Sequence, residues 1–196
     1  MIKIFDIYIS LLPVIFTGIL NMIWCKLPVF EKIKVPIDNG KKLKDGNRLF
    51  GDNKTWKGLI GYIIFGILCT VLWGLVCDTT VYLHQHNYFY ANHSNGVIYN
   101  LAIGFLLGFF YALFELPNSF IKRRLGIKEG KPPKGIIKLV FIFLDQADSI
   151  FGCVLVLSFV YPMTALFYFG CVLLGAATHI VMNVLLYLAH LRKNPF

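Results

Sequence analysis

Charge is scarce in this chain, and negative charge scarcer still. Only 15% of its 196 residues are charged, and ten acids face nineteen Lys and Arg, a formal net charge of +9. A soluble domain of this size needs a charged exterior, whereas here 57% of the residues are hydrophobic and the mean hydropathy is +0.67. That balance excludes an ordinary soluble enzyme and points to an integral membrane protein. Cysteine supplies no framework either. Cys25, Cys69, Cys77, Cys153 and Cys171 are odd in number, lie mostly in or beside apolar runs and form no CxxC pair, so they read as small buried hydrophobes. No internal repeat is visible, and no Ser or Cys nucleophile stands in a recognisable setting.

Long apolar runs are what the chain does have. A membrane span takes roughly 20 apolar residues, and runs at 4–24, 58–77, 98–114 and 163–189 qualify, the third at the short end. The last is long enough to tilt or to project into water. A further run from about 136 to 161 is interrupted by Asp145 and Asp148. Its part after Asp148 is too short alone, so the helix is expected to start near Asp145, with IIKLVFIFL at 136–144 as an interfacial or re-entrant segment. A start further upstream would set both carboxylates deeper. The first run carries Asp6, has a weakly basic lead-in and lacks an A-x-A-like cleavage site, so it reads as a retained span and not a signal peptide. The expected fold class is an all-α integral membrane protein with about five transmembrane helices, forming one polytopic domain over 1–196.

The cations are unevenly distributed. Nine lie between Lys26 and Lys57, seven between Lys122 and Lys138, and Arg192 and Lys193 close the chain. The outer loop DTTVYLHQHNYFYANHSNG has none, and neither has the turn at Pro162. With five spans, the two basic loops and the C-terminus share one side, which collects eighteen of the nineteen cations and which the positive-inside rule assigns to the cytoplasm. The N-terminus is then outside, in a multi-pass protein of the cell membrane whose two cytoplasmic loops, about 26–57 and 115–144, form the site. Topology and attraction to anionic head groups account for basic charge by themselves. They do not require the carboxylates, glycines and asparagines that share these loops.

Loop one contains PIDNG, KDGN and FGDN, each placing Asp or Asn beside Gly as tight turns prefer. Gly-rich turns expose backbone N–H groups that can cradle phosphate. The stretch GNRLFGDNKT is not a Walker A loop, because Gly51 is followed by Asp52 and Asn53 and not by Lys-Thr. Lys54 and Lys57 bracket Trp56 at the entrance to the second span and offer a different phosphate site, although Trp at an interface is often only a belt residue. In the second basic loop Phe120, Ile121, Leu125 and Ile127 interleave with the cations as in a short surface-lying helix, which EGKPPKG then breaks. Asp145 and Asp148 are spaced i, i+3 and share a helical face. Capping of a helix start explains one of them and not both. Membrane-edge acids are costly and mark function, and the pair, joined by Glu115, makes an oxygen set suited to Mg²⁺.

Together, SFIKRRLGIKEG at 119–130 and LDQADSIFG at 144–152 resemble the signature of CTP-dependent lipid cytidylyltransferases. These are the phosphatidate cytidylyltransferases (CDP-diacylglycerol synthases) and, more closely, the CDP-archaeol synthases. The broad pattern S-x-x-K-R, then K-D, then D-x-x-D-S falls on Ser119, Lys122, Arg123, Lys128, Asp145, Asp148 and Ser149. PIDNG, DG and GDNKTWKG in loop one add to the likeness. The chain departs from the broad pattern in carrying Glu129 after Lys128, Phe114-Glu115 in place of Gly-Asp, and KLVFIFL where PGHGG stands.

The resemblance implies that a lipid phosphate attacks the α-phosphorus of CTP, with Asp145, Asp148 and Glu115 holding Mg²⁺ and K⁺ as an open second ion. It implies that Lys122, Arg123 and Lys128 clamp phosphate, and that Asn53, Lys54, Trp56, Ser119 and Arg124 bind substrate. The expected partners are CTP and a phosphorylated membrane lipid, of archaetidic or phosphatidic acid type, and no nucleic acid. The alternatives are a transporter or flippase for a phosphorylated lipid or small anion, and a non-catalytic membrane protein that binds anionic lipid. Three features are set aside: His84, His86 and His93 as a solvated outer loop, NHS at 92–94 as a chance sequon, and His179 with Asn183 as an interhelical hydrogen bond or a face lining the lipid site. Gly104 and Gly108 form a GxxxG that suits close packing within the chain or in a homodimer.

Overall fold

The computed structural model describes residues 3–129 and 135–190. Residues 130–134, the heart of the expected EGKPPKG break with Lys131 and Lys134, and 191–196, with Arg192 and Lys193, lie outside the described residues. Among the described residues six α-helices follow one another: α1 (Ile4–Lys26), α2 (Trp56–Asp78), the short α3 (Val81–Gln85), α4 (Val97–Arg124), α5 (Ile136–Val160) and α6 (Ala165–Leu188). The five long ones are each long and apolar enough to cross a membrane. Among the described residues, β pairing is confined to two isolated bridges in loop one, Pro36 with Thr55 and Lys42 with Arg48.

Two of the long helices begin at side-chain caps. Thr55 accepts the Gly58 N–H at 3.1 Å to open α2, and Thr164 accepts that of Phe167 at 3.2 Å to open α6. Lipid gives no hydrophobic drive between helices, so small residues turn inward and large ones outward. α2 follows this rule: Gly61, Gly66, Cys69, Thr70 and Gly74 are buried, while Ile64, Leu68, Leu72 and Leu75 are exposed to the hydrocarbon side. Its seam with α4 is backbone against backbone. A Cβ placed on Gly104 would lie 2.6 Å from the Ile67 Cα, and one on Gly108 would lie 2.7 Å from the Ile63 Cα. The GxxxG therefore packs within the chain. α5 runs through the middle of the bundle, with Cys153, Val154, Val156 and Leu157 fully buried.

Two helix boundaries differ from those expected. α5 starts at Ile136, not near Asp145. IIKLVFIFL contains no Gly or Pro, so the backbone ladder continues upstream and the run is helix, not a separate interfacial segment. Asp145 and Asp148 thus sit more than two turns into a helix, which removes N-capping as their role. α4 runs past the expected end of the third span at 114, and past Pro117, to Arg124. The stretch expected as a surface-lying helix is the end of the span helix. Glu115, Asn118 and Lys122 recur at i, i+3 and i+7, which gives this extension a polar stripe of its own.

At the opposite end, the loop of residues 79–96 folds inward and is not simply solvated. Phe89 and Tyr90 are buried, the Tyr88 N–H donates to Ser10 Oγ at 2.8 Å, and His86 Nδ1 lies 3.0 Å from the Asp6 carboxylate.

The seam predicts a sharp contrast between two glycines. Gly108→Val must push α2 from α4 and should cost about 1–3 kcal/mol or more, whereas Gly96→Ala, whose Cβ meets nothing within 4 Å, should be neutral. Unfolding of both variants in mixed micelles measures the difference.

Candidate active site

Loop one has little regular structure, so its backbone polar groups need other partners. Asp38 provides them. Its buried carboxylate accepts the N–H groups of Gly40, Phe50 and Gly51, each at 3.0 Å, and the Arg48 guanidinium at 2.5 Å and 3.3 Å. Burial alone would raise the Asp38 pKa, but Arg48 and the three N–H groups outweigh it and hold the carboxyl well below the usual carboxylate range. Asp38 in turn, with Asp52 second, raises the pKa of Arg48. Gly51 sits at φ +101° against the Glu129 side chain, a conformation and a closeness that suit only glycine.

The run Lys122-Arg123-Arg124 is divided by the helix that carries it, because neighbouring positions on a helix point about 100° apart. Arg123 and Arg124 turn to loop one. Arg123 Nε donates to the Phe50 carbonyl at 3.2 Å, while its other nitrogen bonds the Ile127 carbonyl and Glu129 lies 3.6 Å away. Arg124 pairs with Asp45 at 2.6 Å, donates to the carbonyls of Asn47 and Arg48 and lies over the Phe120 ring at 5.1 Å. The two basic loops are thereby joined at one end of the bundle. Lys57 is committed elsewhere: fully buried, it donates to the Leu27 carbonyl at 2.7 Å and to Glu31 at 3.2 Å. It does not bracket a phosphate site with Lys54.

Lys122 turns the other way, toward α5. Its ammonium binds both oxygens of Asp145, one of them at 2.5 Å. Asn118, one turn earlier, bridges the aspartates through its amide nitrogen, 2.7 Å from Asp145 Oδ1 and 2.8 Å from Asp148 Oδ2. The other Asp148 oxygen accepts the Ser149 N–H at 2.6 Å. Glu115 does not join them: it accepts Lys54 Nζ at 2.5 Å and the Tyr62 hydroxyl at 2.9 Å. Burial depresses the Lys54 ammonium, but Glu115, Asp148 and Asp145 more than offset this and its pKa ends above the ordinary lysine value. Among the described residues no three His, Cys, Asp or Glu side chains converge as a ready metal cluster.

Three carboxylates thus face two ammonium groups, and Asp148 has only neutral donors. The Asn118 amide oxygen is buried with no hydrogen-bond partner among the described residues. That orphan oxygen belongs to the same amide whose nitrogen spans the two carboxylates, and carboxylate and amide oxygens are the donors that a hard divalent cation takes.

A sequence model of one protein family, described as CarS-like CDP-archaeol synthase, matches residues 4–196. The chain belongs to this family. A CDP-archaeol synthase of Pyrococcus abyssi is 33% identical over 165 residues, 82% of this chain and 77% of that one. Another, of Thermococcus gammatolerans, is 39% identical over 107 residues, 55% of each chain, so the match spans only about half of that relative's length. The Archaeoglobus fulgidus CDP-archaeol synthase is 28% identical over 91% of this chain and 98% of its own. A solved intramembrane enzyme for archaeal membrane lipid biosynthesis superposes with a TM-score of 0.63 at 24% identity, covering 93% of this chain and 95% of that chain. At that identity the likeness speaks for the shared fold.

Within this member of the CDP-archaeol synthase family, the residues expected to act divide into groups. Asp145, Asp148 and Lys122 come together around Asn118, and Glu115 and Lys54 form a separate pair that acts on Asp148 at longer range. Arg123 and Arg124 serve the joint between the loops. Lys128 is exposed, Asn53 and Trp56 stand exposed before and at the start of α2, and Ser119 is half-buried on α4. Sequence reasoning missed Asn118, Tyr62 and the central role of Asp38. The i, i+3, i+7 spacing of Glu115, Asn118 and Lys122 was the available signal for the first.

Asp38 predicts the acid behaviour of loop one. A carboxyl with a depressed folded pKa stabilises above its unfolded value and loses that contribution only as pH falls through the folded one. The loop should therefore stay ordered well below about pH 4, the ordinary carboxylate value. Hydrogen exchange should find Phe50 and Gly51 still protected at about pH 3, and protection reduced roughly 10- to 100-fold in Asp38→Asn.

Proposed function

We propose that this chain transfers the cytidylyl group of CTP to a phosphorylated ether lipid of archaetidic-acid type, giving a CDP-lipid and pyrophosphate. The site works at the cytoplasmic end of the bundle, with the N-terminus outside. The observation that carries the reading is the group of Asp145, Asp148, Asn118 and Lys122 beside the Glu115–Lys54 pair, at the end of the bundle where Arg123 and Arg124 join loop one to α4. CTP comes from water and the lipid cannot leave the bilayer, so the reaction has to occur where the two meet. Family membership and the activity of the CDP-archaeol synthases it resembles support the same conclusion.

In the reaction a lipid phosphate oxygen bonds to the α-phosphorus of CTP, the bond from that phosphorus to the bridging oxygen breaks, and pyrophosphate leaves with the electron pair. Both reactants are anions, so charge neutralisation and positioning are the main catalytic demands. Lys122 and Lys54 bring two ammonium charges to the phosphates. Glu115 and Tyr62 hold Lys54 in place and act as positioning residues. Asp145 and Asp148, with the Asn118 oxygen, are the residues that would hold Mg²⁺, which when bound neutralises phosphate oxygens. Arg123 and Arg124 act indirectly, by keeping loop one over the site.

The test uses purified protein in nanodiscs with Mg²⁺ and CTP labelled at either the α- or the γ-phosphate. Archaetidic acid should take up the α-label and not the γ-label, and should be preferred to phosphatidic acid. Asp148→Asn should lower CDP-lipid formation by at least about 100-fold while membrane insertion and the elution profile stay unchanged. Near-normal turnover of that variant would remove Asp148 from the mechanism.

A further inference from the structure

Lys122 carries a charge that the reaction needs and the fold withholds. Its ammonium is bound by both oxygens of Asp145 and lies over the ring of Phe141, 5.5 Å from the centroid. Phe141 stands one turn before Asp145 on α5 and is buried. The same helix thus seats the ammonium between a carboxylate and an aromatic face, an arrangement that holds a cation well. An ammonium so placed is not free to meet a phosphate. The oxygens it occupies are also ones that a divalent cation would take.

Asn118, one turn before Lys122 on α4, sharpens this conflict. The side chain is buried. Its amide nitrogen donates to Asp145 at 2.7 Å and to Asp148 at 2.8 Å, while its oxygen has no hydrogen-bond partner among the described residues. The two ends of an amide have opposite chemistry: the nitrogen only donates and the oxygen only accepts. Nitrogen facing inward suits two carboxylates and opposes a cation between them. Oxygen facing inward opposes two bare carboxylates and suits a cation. What stands between Asp145 and Asp148 therefore decides which end faces them. The amide torsion is broad and two-fold, so a half turn exchanges the ends with no movement of α4.

We propose that Asn118 and Lys122 form a latch: a divalent cation arriving between Asp145 and Asp148 turns the Asn118 amide and displaces Lys122 from Asp145, which releases that ammonium to the phosphates of the nucleotide. The use of the freed lysine rests on the cytidylyltransferase reading. In the turn, the Asn118 oxygen gains the partner it lacks. Lys122 leaves the same carboxylate that the amide nitrogen leaves, so the two movements answer one event. The result is an order of binding. Until the cation is in place, a phosphate meets two carboxylates that repel it and a lysine already engaged.

The probe is Mn²⁺, followed by the paramagnetic resonance of the unbound ion, with nucleotide-free protein in nanodiscs of neutral lipid. Lys122→Met should tighten Mn²⁺ binding at least about five-fold, because the ion no longer competes with an ammonium. Asn118→Leu should weaken it about 10- to 100-fold, because the turned oxygen is lost. An amide that never turned would only obstruct the carboxylates, and its removal would tighten binding instead. Unchanged or weaker binding in Lys122→Met, or unchanged or tighter binding in Asn118→Leu, overturns the latch. Release is also tested without substitution, by acylating the wild-type protein with an amine-reactive ester and reading each lysine by mass spectrometry. Mg²⁺ should raise modification of Lys122 at least about five-fold and leave the exposed Lys128 unchanged. Modification of Lys122 that ignores Mg²⁺ overturns the latch even where CDP-lipid forms normally. Modification that rises with Mg²⁺ in protein that forms no CDP-lipid overturns the cytidylyltransferase reading and leaves the latch standing.

Discussion

The contact of α2 with α4 sets how Glu115 on one helix meets Lys54 and Tyr62 at the start of the other. Where Gly66 meets Gly104 and Gly108 no side chain intervenes, so the spacing of the two helices is fixed by backbone atoms. One turn nearer the site, that spacing lets Tyr62 stack on Tyr111. One turn further, it lets Glu115 receive both Tyr62 and Lys54. Lys54 precedes α2 by two residues, so loop one inherits its place from the same seam. A methyl group inserted there would part all three levels of contact.

Two carboxylates, Asp38 buried and Asp148 half-buried, illustrate how partners decide a role. Asp38 is saturated by a guanidinium and three N–H groups, and such a group has nothing left to offer a ligand. Its depressed pKa belongs to architecture. Asp148 is met by neutral donors alone, beside an amide oxygen that finds no partner. Taking a charge from water costs several kcal/mol unless it is compensated, and Asp148 feels the Lys54 ammonium only at a distance, since that lysine pairs directly with Glu115, which leaves room for a cation at Asp148. The contrast separates a scaffold acid from a working one without appeal to their neighbours in sequence.

The five spans, the pairing of Asp145 with Asp148 and the likeness to lipid cytidylyltransferases were legible in the sequence, because apolar runs and i, i+3 spacing are local signals. The start of α5 was not. Asp145 and Asp148 interrupt hydropathy but not the helix, since hydrogen-bonded carboxylates facing Asn118 and Lys122 are tolerated at that depth. The cations were misleading in a different way. Lys122, Arg123, Arg124 and Lys57 are alike in charge, yet only Lys122 faces the carboxylates, and that follows from helix phase and from which carbonyls loop one presents. Asp38 appeared only as part of a turn motif, for its four partners at Gly40, Arg48, Phe50 and Gly51 are spread over a dozen residues.

Arg123 and Arg124 hold loop one largely by carbonyl oxygens, those of Asn47, Arg48 and Phe50. A carbonyl is the same on every amino acid. The clasp is therefore blind to side-chain identity at 47 and 50, and this stretch can drift in evolution and retune what it presents to a nucleotide without loosening its hold on the bundle.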